Sequence, residues 1–478
     1  MHFTILFISN IVNVVNLSNK KEGYMKQTKD LLQGNITKQL ISLMIPLILG
    51  NILQQFYNTI DSIIVGRYIG NTAFAAVGVA GSVMNLFIFM LNGGCNGISV
   101  VFAELYGQKQ WKRLKKESFL SLFLGFGASV IFSLLSLIFL HPILNVIQTP
   151  ANVFPYAMDY LKIILFGLPI TFFYNWCAAV LQAAGDTQTP LYTLLIAMGI
   201  NTVLDFILTV FMKMGTAGTA IATVTAQLSS SLICICVMQK KHPEFFFRRN
   251  DISFDHGLIR KTAKFGSVSA LHQSSLYIGK LLVQGAVNTG GTDIISAYTA
   301  TMRIEGFANS FSDSGAVALS VFTAQNLGGG KKDRIWNGFK KGLQILLTLS
   351  VILAILMILL TKSVVILIMG HPTLNILENA NAYMIVISVF YFLCFTGCTF
   401  VGFFRGIGKV EVPVIGTIIQ ISIRVILSYA WIQMMGLKAI AFATGIGWIV
   451  VVLYQIFVCK KSHCLSADID IKEIQDQM

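Results

Sequence analysis

Apolar residues in this chain run in stretches of about 20 positions or more, the length a helix needs to cross a bilayer. Short polar segments, most of them basic, separate these stretches. The pattern predicts membrane-spanning helices at 40–66, 73–103, 118–140, 157–183, 190–212, 217–238, 265–289, 294–325, 338–361, 382–404, 412–434 and 437–459. No polar segment between them is long enough for a separate folded domain. The predicted fold class is therefore an all-α polytopic membrane protein with twelve transmembrane helices. Composition agrees: 55% of the 478 residues are hydrophobic and 12% are charged, with a mean hydropathy of +0.72. An ordinary soluble domain carries about 25% charged residues, and half that share leaves too little polar surface to solvate a globule of this size.

The net charge of +14 would suit a nucleic-acid partner, but its placement points elsewhere. Basic residues crowd the segments on one side. They include Lys112, Arg113, Lys115 and Lys116 after the second span, and Lys240, Lys241, Arg248 and Arg249 after the sixth. Lys331, Lys332 and Arg334 follow the eighth, and Arg405 and Lys409 the tenth. The opposite side shows only Arg67, Lys162, Lys213, Lys362 and Lys438. Positive charge retained on the inner side of spans predicts a multi-pass chain with both termini in the cytoplasm. The expected partner is thus the lipid bilayer, with no nucleic acid. Of the eight cysteines, six lie inside apolar spans, where thiols behave as small hydrophobes. Near the amino terminus, the run from Phe3 to Leu17 is too short and too Asn-rich to span. Lys21-Glu22-Gly23 before Met25 could be encoded by purine-rich codons resembling a ribosome-binding site, so translation is expected to start at Met25.

The two halves of the chain repeat each other. Ala103-Glu104-Leu105-Tyr106-Gly107 returns as Ala324-Gln325-Asn326-Leu327-Gly328, each followed by an arginine six residues after the glycine, Arg113 and Arg334. Gly185-Asp186-Thr187-Gln188-Thr189-Pro190 returns as Gly408-Lys409-Val410-Glu411-Val412-Pro413. Met214-Gly215 with Ala220-Ile221-Ala222-Thr223 returns as Met435-Gly436 with Ala441-Phe442-Ala443-Thr444. Six spans per copy give both copies the same orientation, which predicts parallel repeats related by an axis along the membrane normal. The expected organisation is a cytoplasmic segment 1–34, an N-terminal six-helix lobe 35–238, a cytoplasmic linker 239–264, a C-terminal six-helix lobe 265–459 and a cytoplasmic tail 460–478. Duplication about a central interface suits a transporter, in which one bundle rocks against the other.

Charged groups at bilayer depth cost about 2.5–3.5 kcal/mol each on insertion scales, which makes them functional candidates. Asp61 ends a polar series on the first span, Asn51, Gln54, Asn58 and Asp61. At about 100° per residue these fall within an arc of roughly 80°, so one face of that helix is predicted to point into the bundle. On the fifth span Asn201 and Asp205 are one turn apart and share a face. Carboxylates with amide and hydroxyl oxygens are hard ligands suited to a sodium ion. The same carboxylates could instead hold a proton, or bond to neighbouring helices. The second half does not copy these acids: Arg424 stands where the first half has Asn201, Ser428 where it has Asp205, and Gly279-Lys280 where it has Asp61-Ser62. Its eighth span carries Arg303, Glu305 and Asp313. An ion pair of Arg424 with Glu305 or Asp313 is the plain expectation, and a cationic-substrate path through Glu305 or Asp313 is the sharper one. Tyr57 is a candidate for lining an apolar cavity. A membrane enzyme or non-transporting receptor would need a catalytic cluster or a sizeable extramembrane domain, and the sequence shows no Walker, Gly-x-Ser-x-Gly or His-x-x-x-His pattern.

These residues resemble the multidrug and toxic compound extrusion (MATE) transporters. The resemblance rests on Pro46 through Gly66 with Gln54-Gln55-Phe56-Tyr57-Asn58-Thr59-Ile60-Asp61, on the turn from Leu181 to Pro190, and on Asn201-Thr202-Val203-Leu204-Asp205. Arg303-Ile304-Glu305-Gly306-Phe307 and Gln325-Asn326-Leu327-Gly328 extend it into the second half. It covers roughly residues 35–460 and is nearest to the bacterial DinF-like and MepA-like branch. The resemblance implies a V-shaped pair of pseudo-symmetric six-helix lobes and a cation-coupling site in the N-terminal lobe at Asp61, Asn201, Asp205 and Thr223. It implies a secondary antiporter, functional as a monomer and without a cofactor, that exports cationic amphipathic compounds in exchange for H⁺ or Na⁺. The acid that another branch places on its seventh helix is missing here, where the chain reads Leu271-His272-Gln273-Ser274-Ser275. Residues of the substrate path would include Asn58, Tyr57, Gln54, Glu305, Asp313, Arg303 and Arg424. A lipid-linked oligosaccharide flippase of the same superfamily is the alternative.

Overall fold

The computed structural model describes residues 31–461, apart from the side chains of Asn58 and Asn250. The expected start at Met25 and the tail beyond residue 461 lie outside the described residues. Every regular element among them is helical. In chain order these are α1 (Ile36–Tyr68), α2 (Asn71–Gly107), α3 (Trp111–Ile138), the short α4 (Leu140–Val146), α5 (Phe154–Phe166), α6 (Leu168–Ala183) and α7 (Gln188–Asp205). A π-helical turn, Phe206–Phe211, continues α7. There follow α8 (Gly215–Lys241), α9 (His256–Asn288), α10 (Thr292–Gly328), α11 (Lys332–Met369), α12 (Leu374–Gly406), α13 (Glu411–Met435) and α14 (Leu437–Lys461).

Among the described residues nine helices have the length and apolarity to cross a membrane, and α5 with α6 makes a tenth span bent by 48°. The bend has a local cause. Pro169 withholds an N–H at the start of α6, and a Cβ on Gly167 would lie 2.6 Å from Val224 of α8. The remaining two rods, α9 and α10, have the length but not the apolarity, because Lys280, Arg303, Glu305 and Asp313 interrupt their hydrophobic runs. All twelve expected spans are therefore present as helices.

The repeat is visible in the backbone. Gly185 and Gly408, at equivalent positions, adopt φ of 84° and 85°, and Gly215 and Gly436 adopt 61° and 58°. In both copies the first of these glycines ends a helix in the left-handed region, where a Cβ is disfavoured. The following residue returns its N–H to the last turn, Asp186 to Leu181 and Lys409 to Phe404, each at 2.9 Å.

The chain forms two compact units. Among the described residues the first comprises 31–33, Tyr57–Ala80 and Trp111–Ser253, the second Gly34–Phe56, Gly81–Gln110 and 254–461. α1 and α2 are thus each divided, with the ends nearest the basic segments belonging to the second unit. In the first unit α8 presents Gly218, Ala220, Ala222 and Ala226, and such small residues let membrane helices approach closely. Across α3 and α6, Trp176 Nε1 donates to Ser121 Oγ at 3.0 Å. In the second unit α2 and α10 cross on a reciprocal pair of glycines. A Cβ on Gly107 would lie 2.1 Å from the carbonyl oxygen of Gln325, and one on Gly328 would lie 2.1 Å from that of Glu104. These are the repeated Gly107 and Gly328 motifs, so the duplication builds its own helix crossing. Beside it Lys261 Nζ donates to the buried Glu104 carboxylate at 2.7 Å. Arg334 bonds Asn326 Oδ1 at 3.1 Å, the Gly34 carbonyl at 2.9 Å and Gln39 Oε1 at 2.8 Å.

Candidate functional site

The two acids of the first unit meet. α1 brings Asp61, α7 brings Asn201 and Asp205 from consecutive turns, and α8 brings Thr223. All four side chains are buried, Asp205 with no exposed surface. The Asp61 and Asp205 carboxyls lie in one electrostatic neighbourhood. Thr223 Oγ1 lies 3.0 Å from the Thr219 carbonyl and 3.4 Å from Asp61 Oδ2. A hydroxyl has one proton, so Thr223 donates to one of these two acceptors at a time, and its contact with the carboxylate is the longer.

Burial makes hydrogen bonding obligatory for such groups, yet most of their capacity here is unused. Asp61 Oδ1, both Asp205 oxygens, both polar atoms of Asn201 and the Tyr57 hydroxyl have no partner among the described residues. Tyr57 and the buried Tyr160 of α5 lie within electrostatic reach of both carboxyls. Two carboxyls near each other away from water are held together by a proton or by a cation, since two bare negative charges repel strongly there. The oxygens of Asp61, Asp205, Asn201 and Thr223 are hard donors of the kind an alkali cation takes. No cluster of three or more His, Cys, Asp or Glu able to hold a metal ion occurs among the described residues. Immediately after Asp205 the helix widens into the π-turn. π-bulges recur at functional sites, and here the turn packs on α8, where a Cβ on Gly218 would lie 3.0 Å from the Leu208 backbone.

Asn51 and Gln54, on the same expected polar face of α1, belong to the second unit. Gln54 is exposed, and Asn51 donates to Ser314 Oγ at 3.0 Å within the second unit. The side chain of Asn58 lies outside the described residues. One periodic face thus serves two units, because α1 is divided between them.

The charges of the second unit form a separate constellation. Glu305 is buried and accepts from the hydroxyl of Tyr383 at 2.5 Å and from that of Tyr391 at 3.4 Å. Arg424 reaches the Tyr298 hydroxyl at 3.5 Å, and Tyr298 packs edge-on against Tyr383, centroids 6.1 Å apart. The expected ion pair of Arg424 with Glu305 or Asp313 is not formed; tyrosine hydroxyls stand in place of direct contact. Asp313 and Arg303 are both exposed. Arg405, grouped by sequence with the loop charges, is instead buried in the last turn of α12, near Asp313. Sequence reasoning also missed Tyr160, Tyr298, Tyr383 and Tyr391, for a tyrosine in an apolar run reads as packing until its neighbour is known.

At the loop end of the first unit, Asp186 accepts from Thr189 N at 2.9 Å and Thr189 Oγ1 at 2.6 Å. Lys241 Nζ and His242 Nε2 approach it at 3.7 and 3.8 Å, and His242 Nδ1 meets Glu244 at 3.1 Å. Burial pushes the Asp186 carboxyl up, but the contacts from His242, Lys241 and Thr189 prevail and hold it at about 2. Burial pushes His242 down, but its two carboxylate neighbours prevail and raise it to about 9. The cluster ties the start of α7 to the end of α8, the helices that carry Asp205 and Thr223.

The comparison with known families decides the assignment. The MatE family model matches the chain twice, over residues 46–207 and again over 269–430. The chain belongs to the MatE family. Both matches fall on the repeats, and the first contains Asp61, Asn201 and Asp205. Among related proteins, the chain is 27% identical to a probable multidrug resistance protein, YoeA, of Bacillus subtilis, over 68% of this chain and 72% of that protein. It is 24% identical to a probable multidrug resistance protein, NorM, of Thermotoga maritima, over 81% and 83%. Among solved structures, a MOP superfamily transporter from Pyrococcus furiosus superposes with a TM-score of 0.83 at 22% identity, covering 94% of this chain and 99% of that one. The protein is a multi-pass membrane transporter, not an enzyme.

Proposed function

We propose that this MatE protein is a secondary antiporter that exports cationic amphipathic organic compounds in exchange for H⁺ or Na⁺. It would lie in the bacterial plasma membrane with both termini cytoplasmic and work as a monomer. The observation that carries the reading is the buried pair Asp61 and Asp205, in one electrostatic neighbourhood, with unpartnered oxygens on both and on Asn201. An incoming ion has a set of oxygens to occupy, and occupying it removes repulsion between α1 and α7. Any conformation that holds the pair together gains by that amount, so ion binding shifts the equilibrium between states. By linkage, a cargo that favours the opposite state releases the ion. The multidrug names of the relatives support the cargo class.

The test is efflux of a fluorescent organic cation from membrane vesicles carrying wild type, Asp61→Asn or Asp205→Asn. The amide keeps size and polarity but carries no negative charge, so it takes up no proton and attracts a sodium ion far less. Both variants are expected to lose gradient-driven transport. Wild-type rates in either would remove that carboxylate from the mechanism.

A further inference from the structure

Two cations inside the second unit are left by the fold without an anion in contact. α9 and α13 cross closely, since a Cβ on Gly279 would lie 2.7 Å from Ile421. The crossing places Lys280, the next residue after the glycine, and Arg424, one turn after the isoleucine, in one electrostatic neighbourhood. Among the described residues neither takes part in an ion pair within 4.0 Å. Lys280 lies over the Phe89 ring at 5.6 Å. Arg424 gives one terminal nitrogen to Tyr298 at 3.5 Å, and its Nε is buried with no partner.

Of the nearby anions, Glu305 already accepts from Tyr383 and Tyr391, and exposed Asp313, the acid whose charge acts most on Lys280, forms no ion pair within 4.0 Å with either cation. A guanidinium carries five donors in a planar fork, and a buried donor without an acceptor costs about 1–3 kcal/mol. An anionic oxygen brought by a ligand would relieve that cost. A guanidinium beside an ammonium suits a carboxylate or a phosphate group.

We propose that Lys280 and Arg424 form an anion-binding site for a carboxylate or phosphate group on the organic molecule this protein moves. The inference rests on the transport reading and sharpens its substrate class. The cargo carries an acidic group as well as a cationic one, and Asp313 is the nearby exposed acid that can face the cation.

Phenyl phosphate and benzoate are titrated against the full-length protein in phosphatidylcholine nanodiscs, with benzyl alcohol as the uncharged control and tryptophan fluorescence as the readout. The anions are expected to bind and the alcohol not. Lys280→Met and Arg424→Gln should each weaken anion binding about tenfold or more, the loss expected for one charge-assisted contact. Arg424→Lys, which keeps the charge, should recover part of it, and if Arg424→Gln does not fold, Lys280→Met carries the comparison. Asp61→Asn, in the first unit, should bind the anions normally while losing coupled transport, which separates failure of this site from failure of the antiport reading. No anion binding by wild type, or equal binding by the Lys280 and Arg424 variants, overturns the proposal. Displacement of the probes by phosphatidylglycerol in the nanodisc would assign the site to a lipid headgroup and likewise overturn it.

Discussion

The His242 cluster allows a prediction whose size and pH window both come from the structure. His242 is 1% exposed, with a carboxylate on each ring nitrogen, Asp186 at 3.8 Å and Glu244 at 3.1 Å. Only the doubly protonated ring presents an N–H and a positive charge to both. Its proton is held from an ordinary 6.5 up to about 9, which corresponds to about 3 kcal/mol of stability at most. The folded value lies above the unfolded one, so this contribution is complete below pH 6.5 and disappears as pH rises through about 9. Asp186 behaves in the opposite sense: held at about 2, it contributes above its ordinary 3.8 and fails only as pH falls through about 2. The alkaline side is therefore the accessible one. His242→Gln removes the charge and keeps one polar contact. Thermal unfolding of purified protein followed by fluorescence should show the variant several degrees below wild type at pH 6, with the gap closing by pH 10. A gap of the same size at both pH values would refute the assignment of a charged histidine and leave only lost packing.

Two further outcomes follow from the second unit. Gly107→Leu places a Cβ 2.1 Å from the Gln325 carbonyl, a backbone atom that no rotamer change can move. Separating α2 from α10 should cost at least the 1–3 kcal/mol typical of overpacking, read as a lower melting temperature than for Gly127→Leu on α3, where a Cβ meets nothing within 4 Å. Tyr383→Phe removes the 2.5 Å donor to buried Glu305. It should destabilise the protein by about 1–3 kcal/mol, and Glu305→Gln should recover part of that loss in a double-mutant cycle on thermal unfolding.

Which features were legible in the sequence follows from how strongly the solvent constrains them. A bilayer requires every spanning backbone group to be satisfied within its own helix, so each of the twelve runs appears as a helix or, for 157–183, as a bent pair. Gly185 and Gly408 could be matched because a left-handed helix end tolerates little else. Asp61 and Asp205 stood out because a charge in an apolar run needs a reason. Less legible was whatever depends on a partner helix. Tyr298, Tyr383 and Tyr391 gain their meaning only from Glu305 and Arg424 beside them. Arg405 looked like a loop cation because it stands four residues from Lys409, yet it is the last turn of a buried helix. The polar face of α1 was read as one surface, whereas Asn51 and Asp61 belong to different units. The bend at Gly167 lay inside a run that hydropathy joins into one span.

The central claim is that Asp61 and Asp205 bind the ion that drives transport. Purified protein in liposomes, loaded with a fluorescent organic cation and given either a proton or a sodium gradient of known size, tests it most directly. Wild type should drive the cation against its gradient with at least one of the two ions. Asp205→Asn, folded and inserted to the same extent, should fail with both. Gradient-driven transport by Asp205→Asn at the wild-type rate would contradict the account.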